Sequence, residues 1–275
     1  MPDSQANLTE LGARFRELHR RPGTFIIPNP WDAGTAKILS SLGFEALATT
    51  SAGLAHSLGR PDGEGAVSRD ETLANARAII EATHLPVAAD LENGFDHAPR
   101  AAAETIRLAA EVGLVGGSIE DATGEADKPI YDFEHAVERV AAAAEAARKL
   151  PFPFMFCARA ENFLHGRPDL DDTIRRLQAF EKAGADLLYA PGIPSLDAIR
   201  TVCASVGKPV NTQIGAFTVA DLAAAGVKRI SLGSALSRVA FGAFAAASRE
   251  LLEKGTATFM PVAMPYGELQ KLMSD

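Results

Sequence analysis

The sequence is poor in the features that mark secreted, membrane-spanning or disulfide-bonded proteins. It has only two cysteines, Cys157 and Cys203, and both lie among apolar residues, so we expect free, buried thiols. No stretch approaches the roughly 18 uncharged apolar residues of a membrane span. The first ten residues also lack the basic and apolar run of a signal peptide. We therefore expect a cytoplasmic protein with no membrane partner.

Positive charge is scarce as well. The 275 residues carry a formal net charge of -8 at pH 7, and the sequence pI is about 5.3. Such a chain has no general electrostatic attraction for nucleic acid or for an anionic membrane, and we predict neither as a partner. If the substrate is an anion, a local metal ion or arginine must hold it.

A GxGxxG dinucleotide-binding motif is also absent after the first predicted strand. Short apolar runs instead alternate with amphipathic helical stretches. The predicted strands cover residues 24–28, 46–50, 86–92, 116–121, 154–161, 187–191, 209–214 and 229–233. Ser68 and Gly184 are typical caps for two of the intervening helices. Eight such units in series favour a (β/α)8 barrel of the TIM type over an open doubly wound sheet.

The barrel pattern accounts for nearly the whole chain, and no low-complexity linker divides it. We predict one barrel domain over residues 1–275. An amphipathic segment at about 6–21 precedes the first strand and is predicted to cap the bottom of the barrel. A C-terminal extension at about 256–275 is surplus to the barrel.

Unusual polar residues collect at the predicted carboxyl ends of the strands, where barrel enzymes place their active sites. In chain order they are Thr50, Ser51, Asp62, Asp90, Glu92, Glu120, Asp121, Arg159, Glu161 and Asn211. Asp90 and Glu92 are two apart on one strand and therefore share a face. Several carboxylates in one cavity raise each other's pKa or demand a cation. A hard, oxygen-liganded ion such as Mg²⁺ meets that demand, and the lack of a His/Cys set disfavours zinc.

Simpler interpretations of the same residues stay open at this point. Asp62 and Asp121 could be helix N-caps, and His56 could be a solvated loop residue. Arg159 suits bidentate binding of a substrate carboxylate, but it could also form a structural ion pair with Glu161 or Glu120. The coincidence of polar residues on three adjacent strands favours the functional interpretation.

Four segments carry a resemblance to a known family. TTSAGLAHSLGRPDGE, AADLENGF, SIEDATG and CARAENF resemble the isocitrate lyase and phosphoenolpyruvate mutase superfamily, from about Asn29 to the helix after Ser234. The resemblance implies an α/β barrel that assembles as a dimer of dimers, with the last helix exchanged between subunits. It also implies Mg²⁺ at Asp90, Glu92 and Glu120, partly through water, and Mn²⁺ could replace it.

The resemblance further implies how a substrate is held. A 2-oxo acid would chelate the metal, and Arg159 would face the enolate that forms. Thr50, Ser51 and Ala52 match the segment that holds the substrate carboxylate. We accordingly predict catalytic roles for Arg159, Asp62 and Thr50. Substrate contacts are predicted for Thr50, Ser51, Ala52, Arg159 and Asn211.

Departures from the family pattern narrow the reaction. The loop after strand four lacks the cysteine of the KKCGH motif, which disfavours isocitrate and methylisocitrate lyase activity. It has Lys128 but no asparagine, unlike the gating loop of the mutases, and Ala48 replaces an aromatic residue and leaves a roomier pocket. The favoured hypothesis is a Mg²⁺-dependent carbon–carbon lyase acting on a small 2-oxo mono- or dicarboxylate, with oxaloacetate decarboxylation the simplest case.

Three alternatives remain. The first is phosphonopyruvate hydrolase or phosphoenolpyruvate mutase-type P–C chemistry, for which His56, Arg60 or Lys128 could hold the phosphonyl group. The second is a non-catalytic protein that binds 2-oxo acids. The third is another metal-dependent barrel aldolase; a Schiff-base aldolase is disfavoured because no lysine lies on a predicted inward strand end.

Overall fold

Eight short parallel strands form the centre of the molecule. The computed structural model describes residues 2–63 and 65–274. The strands are β1 (Phe25–Ile27), β2 (Leu47–Ala48), β3 (Val87–Asp90), β4 (Gly116–Glu120), β5 (Met155–Arg159), β6 (Leu187–Tyr189), β7 (Val210–Gln213) and β8 (Arg229–Ser231). They pair in the order β1-β8-β7-β6-β5-β4-β3-β2. The amide of Ala48 also donates to the carbonyl of Pro28 at 3.1 Å, so the barrel is nearly closed. The predicted (β/α)8 fold is confirmed.

Helices follow the strands around the outside. They are α1 (Pro2–Arg20), α2 (Ala33–Ser41), α3 (Ser51–Ser57), α4 (Arg69–Glu81), α5 (Pro99–Glu111), α6 (Phe133–Arg148), α7 (Leu170–Ala183), α8 (Leu196–Ser205), α9 (Val219–Ala224), α10 (Ala235–Lys254) and α11 (Tyr266–Ser274). A short 3-10 turn, Met260–Val262, precedes α11. Helix α3 was not predicted. It begins where the strand was expected to end, because the Thr50 side chain accepts from the Gly53 amide and caps the helix.

Local side-chain chemistry fixes several helix ends. Ser68 and Glu71 form a reciprocal capping box at the start of α4. Helix α7 ends at Gly184, whose φ of 111° lies in the left-handed region that glycine adopts without strain. Both predicted caps are therefore confirmed.

Helix α1 packs against the amino ends of the strands. Phe15 is fully buried, and a Cβ added to Gly116 would lie only 2.7 Å from the Phe15 ring. Gly116 is the first residue of β4, and the missing side chain makes room for the ring. The close approach places α1 under the barrel, at the end opposite the predicted site.

The two cysteines are free thiols as predicted, although only one of them is fully buried. Cys157 is buried and Cys203 is partly buried. Within residues 2–63 and 65–274, none of the helices is both long and apolar enough to cross a membrane.

Candidate active site

Arg159 stands at the centre of an ionic cluster at the carboxyl ends of three strands. Its Nη1 lies 2.9 Å from Asp90 Oδ1, its Nη2 3.0 Å from Glu120 Oε2 and its Nε 2.8 Å from Glu161 Oε1. Arg159, Asp90 and Glu120 are the last residues of β5, β3 and β4, and only 11% of the Arg159 side chain is exposed. The structure thus gathers three of the predicted site residues, and it also forms the ion pairs that the simpler interpretation suggested.

Two further predicted residues adjoin Asp90. The Ser51 hydroxyl donates to Asp90 Oδ2 at 3.2 Å and is also within hydrogen-bonding reach of Asp62. The Glu92 amide donates to Asp90 Oδ1 at 3.2 Å. Because a serine hydroxyl has one proton, Ser51 can satisfy only one of its two carboxylates at a time. This side of the cluster therefore has more acceptors than donors.

The carboxylates destabilise one another's charged forms. Burial, followed by the nearby charges of Asp90 and Asp62, raises the pKa of Glu92 to about 7. Burial likewise raises the pKa of Glu120 well above its ordinary value, against the attraction of Arg159. Asp62 is more exposed than these two residues, and its pKa is raised by partial desolvation and then by Asp90. One guanidinium does not balance this negative charge, so the site favours a further cation.

The donor set fits a hard cation held partly through water. In the described part of the chain, no three His, Cys, Asp or Glu side chains are arranged to hold a metal ion together. Asp90, Glu92 and Glu120 therefore do not form a closed ligand trio here, and two of them contact Arg159. Oxygen donors, surplus negative charge and adjoining cavities nevertheless suit Mg²⁺, which keeps several of its waters in proteins.

The turn after β3 has an unusual backbone. Glu92 (φ 47°) and Phe95 (φ 65°) are the two non-glycine residues with left-handed φ among the described residues. Left-handed φ is uncommon for such residues, and it persists where the surroundings impose it. A candidate metal ligand thus lies in a strained segment between β3 and α5.

Arg139 of α6 holds that turn, and the sequence analysis missed it. Its Nη1 donates to the carbonyl oxygens of Asp96, at 2.7 Å, and His97, and its Nη2 donates to that of Asn93. The guanidinium also lies over the ring of Tyr131, 4.5 Å from the centroid. The one sequence signal was an arginine on the otherwise apolar, buried face of an alanine-rich helix.

Asp121 points away from the site although it follows Glu120. Its Oδ2 lies 2.9 Å from Arg176 Nη1, and its Oδ1 accepts from the Glu161 amide at 2.8 Å. Arg176 also pairs with Asp172 at 2.8 Å. The suggestion that Asp121 caps a helix is wrong, because its carboxylate forms a buried ion pair behind the strands.

Thr50 and Asn211, predicted to touch substrate, already have structural partners. The Thr50 hydroxyl caps α3, whose first turn contains Ala52. The Asn211 side chain donates to Ser231 Oγ at 3.1 Å and accepts from Arg229 Nε at 2.7 Å. Both residues line the inner cavity, so they remain candidates for contact with a ligand.

Two cavities adjoin the ionic cluster. An inner cavity of about 70 Å³ lies inside the barrel and is lined by Ala48, Thr50, Asp90, Ser118, Arg159, Tyr189, Asn211 and Arg229, among others. An outer cavity of about 900 Å³ opens above it, and its lining includes Asp62, Glu92, Glu120 and His97. The inner cavity suits a compact polar head group, and the outer one leaves room for the rest of a substrate.

The basic groups suggested for a phosphonyl ligand lie elsewhere. Arg60 pairs with Glu71 at 2.8 Å, and Lys128 pairs with Asp132. His56 is an exposed residue of α3. None of the three lines either cavity.

A (β/α)8 barrel with an acidic, arginine-centred cluster at its carboxyl ends defines a class of metal-assisted enzyme sites. The profile of the phosphoenolpyruvate phosphomutase family matches residues 15–252, so the chain belongs to that family, within the isocitrate lyase and phosphoenolpyruvate mutase superfamily. The resemblance inferred from the sequence is confirmed.

Individual relatives support the same assignment. A crystal structure from Burkholderia cenocepacia J2315, described as a candidate lyase/mutase, is 55% identical, covers 98% of each chain and superposes with a TM-score of 0.95. A Mycobacterium tuberculosis H37Rv protein of undescribed activity is 32% identical over 95% of this chain and 96% of its own. The 2,3-dimethylmalate lyase of Eubacterium barkeri is 29% identical over 78% of this chain and 72% of its own.

Proposed function

We propose that the protein is a Mg²⁺-dependent carbon–carbon lyase that acts on a small 2-oxo carboxylate through an enolate, with oxaloacetate decarboxylation the simplest case. The observation that carries the proposal is the position of Arg159. Its guanidinium, fixed by Asp90 and Glu120, lines an inner cavity of about 70 Å³ that suits a 2-oxo acid head group. Similarity to 2,3-dimethylmalate lyase, a relative named as a lyase, agrees with this class of reaction.

Arg159 would stabilise the charge that develops when the bond beside the 2-oxo group breaks. A guanidinium has five N–H donors, and the three ion pairs leave donors free for a ligand. The three carboxylates also fix its orientation before substrate arrives, which is what electrostatic stabilisation of a transition state requires. Mg²⁺, held by Asp90, Glu92 and Glu120 partly through water, would supply a second positive charge beside the 2-oxo oxygen.

The remaining predicted residues would orient the substrate. Ser51 and Thr50, with the backbone of Ala52, would bind the substrate carboxylate at the start of α3, and Asn211 would contact it from β7. Asp62, whose pKa is raised by partial desolvation and by Asp90, is placed to hold or move a proton at the rim of the outer cavity.

Decarboxylation is favoured over P–C chemistry by the surroundings. Arg60 and Lys128, the cations suggested for a phosphonyl group, pair with carboxylates and line neither cavity. Decarboxylation needs no general acid to release its leaving group, so it also tolerates the absence of the family cysteine. A non-catalytic binder would share the ligand site and differ only in giving no product.

A substrate panel tests the proposal. Oxaloacetate, phosphonopyruvate, isocitrate, methylisocitrate and 2,3-dimethylmalate would each be supplied with Mg²⁺ or with chelator, and products read by mass spectrometry. We expect chelator-sensitive formation of pyruvate from oxaloacetate. Product from phosphonopyruvate alone would replace the C–C assignment. Stabilisation by 2-oxo acids without product from any compound would indicate a binding protein.

We also propose that the active form is a homo-oligomer in which α10 packs on a neighbouring copy. Of the helix's twenty residues only Ser237 is buried, while Val239, Phe244 and Leu252 are 69%, 73% and 88% exposed. The helix that follows the eighth strand of such a barrel normally packs against the strands. The exposed apolar surface of α10 is instead typical of a protein–protein interface. Helix α11 packs on the chain's own α2, with Lys37 Nζ bonded to the Met273 carbonyl at 2.7 Å.

Light scattering after size exclusion tests the assembly. Wild-type protein is expected to elute as a multimer, and Val239→Glu with Phe244→Glu is expected to give monomers. An exposed change on another helix, Arg200→Glu, serves as the control. A monomeric wild type, or an unchanged mass in the double variant, would contradict the exchange of α10.

A further inference from the structure

Arg229 is a buried arginine without a carboxylate partner. It is the first residue of β8 and is only 7% exposed. Its bonds in the described part of the chain go to neutral groups: Nε donates to Asn211 Oδ1 at 2.7 Å, Nη1 lies 3.5 Å from His19 Nε2, and the Cys157 thiol is a third contact. Burying a charge is costly unless an opposite charge accompanies it.

The other buried arginines show how unusual this is. Arg159 pairs with three carboxylates, and Arg176 pairs with two. Arg139 has no carboxylate, but three backbone carbonyls and an aromatic ring surround its guanidinium. Arg229 has neither form of compensation.

The surroundings of Arg229 leave room for a ligand. Arg229 lines the inner cavity of about 70 Å³, together with the hydroxyl-bearing Ser118 and Ser231. A guanidinium has five N–H donors, more than the neutral contacts of Arg229 occupy. A cavity of this size holds a few water molecules or one compact anion.

We propose that the inner cavity contains an anion-binding site at Arg229, which takes a compact monovalent anion such as chloride or a carboxylate group. The anion neutralises a cation that the protein itself leaves unpaired. Its binding stabilises the connected polar groups Asn211, Ser231 and Tyr189, the last of which lies beneath the Arg159 guanidinium at 5.2 Å. The proposal does not depend on the reaction proposed above, although both use the inner cavity, and its tests therefore use protein with chelator and no substrate.

Thermal unfolding in matched salts provides the first test. Chloride would replace gluconate at constant ionic strength, because gluconate is too bulky for the cavity. The wild-type midpoint is expected to rise by about 5–10 °C when chloride exceeds its Kd roughly 100-fold. Arg229→Met is expected to lose this chloride-specific rise, whereas Arg200→Met, at an exposed arginine, should keep it. Superimposed chloride and gluconate curves for the wild type would overturn the proposal.

Bromide provides a second test that needs no variant. Crystals of the wild-type protein soaked in sodium bromide are expected to show an anomalous peak within contact distance of the Arg229 guanidinium. Lack of a peak there at saturating bromide would overturn the proposal. Adding formate, a compact monovalent carboxylate, separates the two sources: loss of the peak assigns the site to carboxylates, and its persistence assigns the site to inorganic anions.

Discussion

The two ends of the barrel interior carry opposite surpluses of charge. At the carboxyl ends of the strands, Arg159 is surrounded by carboxylates, and burial raises the pKa of Glu92 to about 7. At the amino ends, Arg229 has neutral partners, and burial followed by the charge of Arg229 lowers the pKa of His19 to about 3. Burial drives both residues toward their uncharged forms, and excess negative charge adds to this at Glu92, as excess positive charge does at His19.

The two ends of the barrel differ in how accessible their charge imbalance is to ligands. The carboxyl end opens into a large cavity, so its imbalance is available to a cation and a substrate. The amino end is covered by α1, whose Phe15 and His19 are buried, so Arg229 faces the small inner cavity rather than open solvent. The carboxyl end is therefore the one where a charge imbalance is combined with a large open cavity, and this combination identifies it as the functional end.

The largest effect is expected from Arg159→Lys. An ammonium keeps the charge but cannot replace the planar fork that reaches three carboxylates and the ligand. We expect turnover to fall about 100- to 1,000-fold, the usual cost of removing an oriented donor. Steady-state kinetics on the substrate found by the panel would measure it. Arg176→Lys is the matched control, since Arg176 also pairs with buried carboxylates but lies outside both cavities. Equal losses in the two variants would remove Arg159 from the mechanism.

The second effect concerns Asp90→Asn. Asp90 is in contact with Arg159, Ser51 and the Glu92 amide, so the neutral amide removes the charge that the cluster shares. Wild-type protein should gain about 2.7 kcal/mol of unfolding free energy when free Mg²⁺ exceeds its Kd 100-fold, and the variant should gain none. Urea unfolding with and without Mg²⁺ would show this. Asp172→Asn, at a carboxylate behind the strands, should respond as wild type does; a response from Asp90→Asn itself would argue against the metal assignment.

The sequence predicted the carboxyl end better than the amino end, for a physical reason. Eight alternating units imply a barrel, and a barrel places strand-end residues such as Asp90, Glu120 and Arg159 together without further information. Whether a side chain turns inward or outward was less predictable, as Asp121 shows, because its orientation depends on Arg176 in α7.

Residues whose roles depend on distant packing were missed. Arg139 acts on a turn more than forty residues earlier, and His19 meets Arg229 from the opposite end of the chain. Periodicity carries no signal for such pairs. Helix α3 was missed for a different reason. Thr50 is β-branched and therefore typical of a strand, but its hydroxyl caps the helix.

A smaller effect is expected from the pH dependence of His19. Its folded pKa of about 3 lies below the ordinary 6.5, so between these values the unfolded chain binds the proton that the folded protein excludes. Stability contributed by neutral His19 is present above pH 6.5 and is lost as pH falls, with a limiting slope of about 1.4 kcal/mol per pH unit. His19→Gln should remove this component from urea-unfolding free energies measured between pH 5 and 7. An unchanged slope would show that His19 titrates normally.

The smallest expected effect is the pH dependence of stability contributed by Glu92, at the carboxyl end of the barrel. Its sign is opposite to that of His19. The folded pKa of Glu92 is raised to about 7 from 4.5, so between these values the folded protein holds a proton that the unfolded chain releases. In chelator, Glu92 therefore makes stability fall as pH rises through this window, by at most about 1.4 kcal/mol per pH unit. Glu92→Gln should make the wild-type profile rise more steeply with pH, whereas His19→Gln should flatten it. Variants at Glu92 and His19 that move the profile in the same direction would contradict the charge surpluses assigned to the two ends.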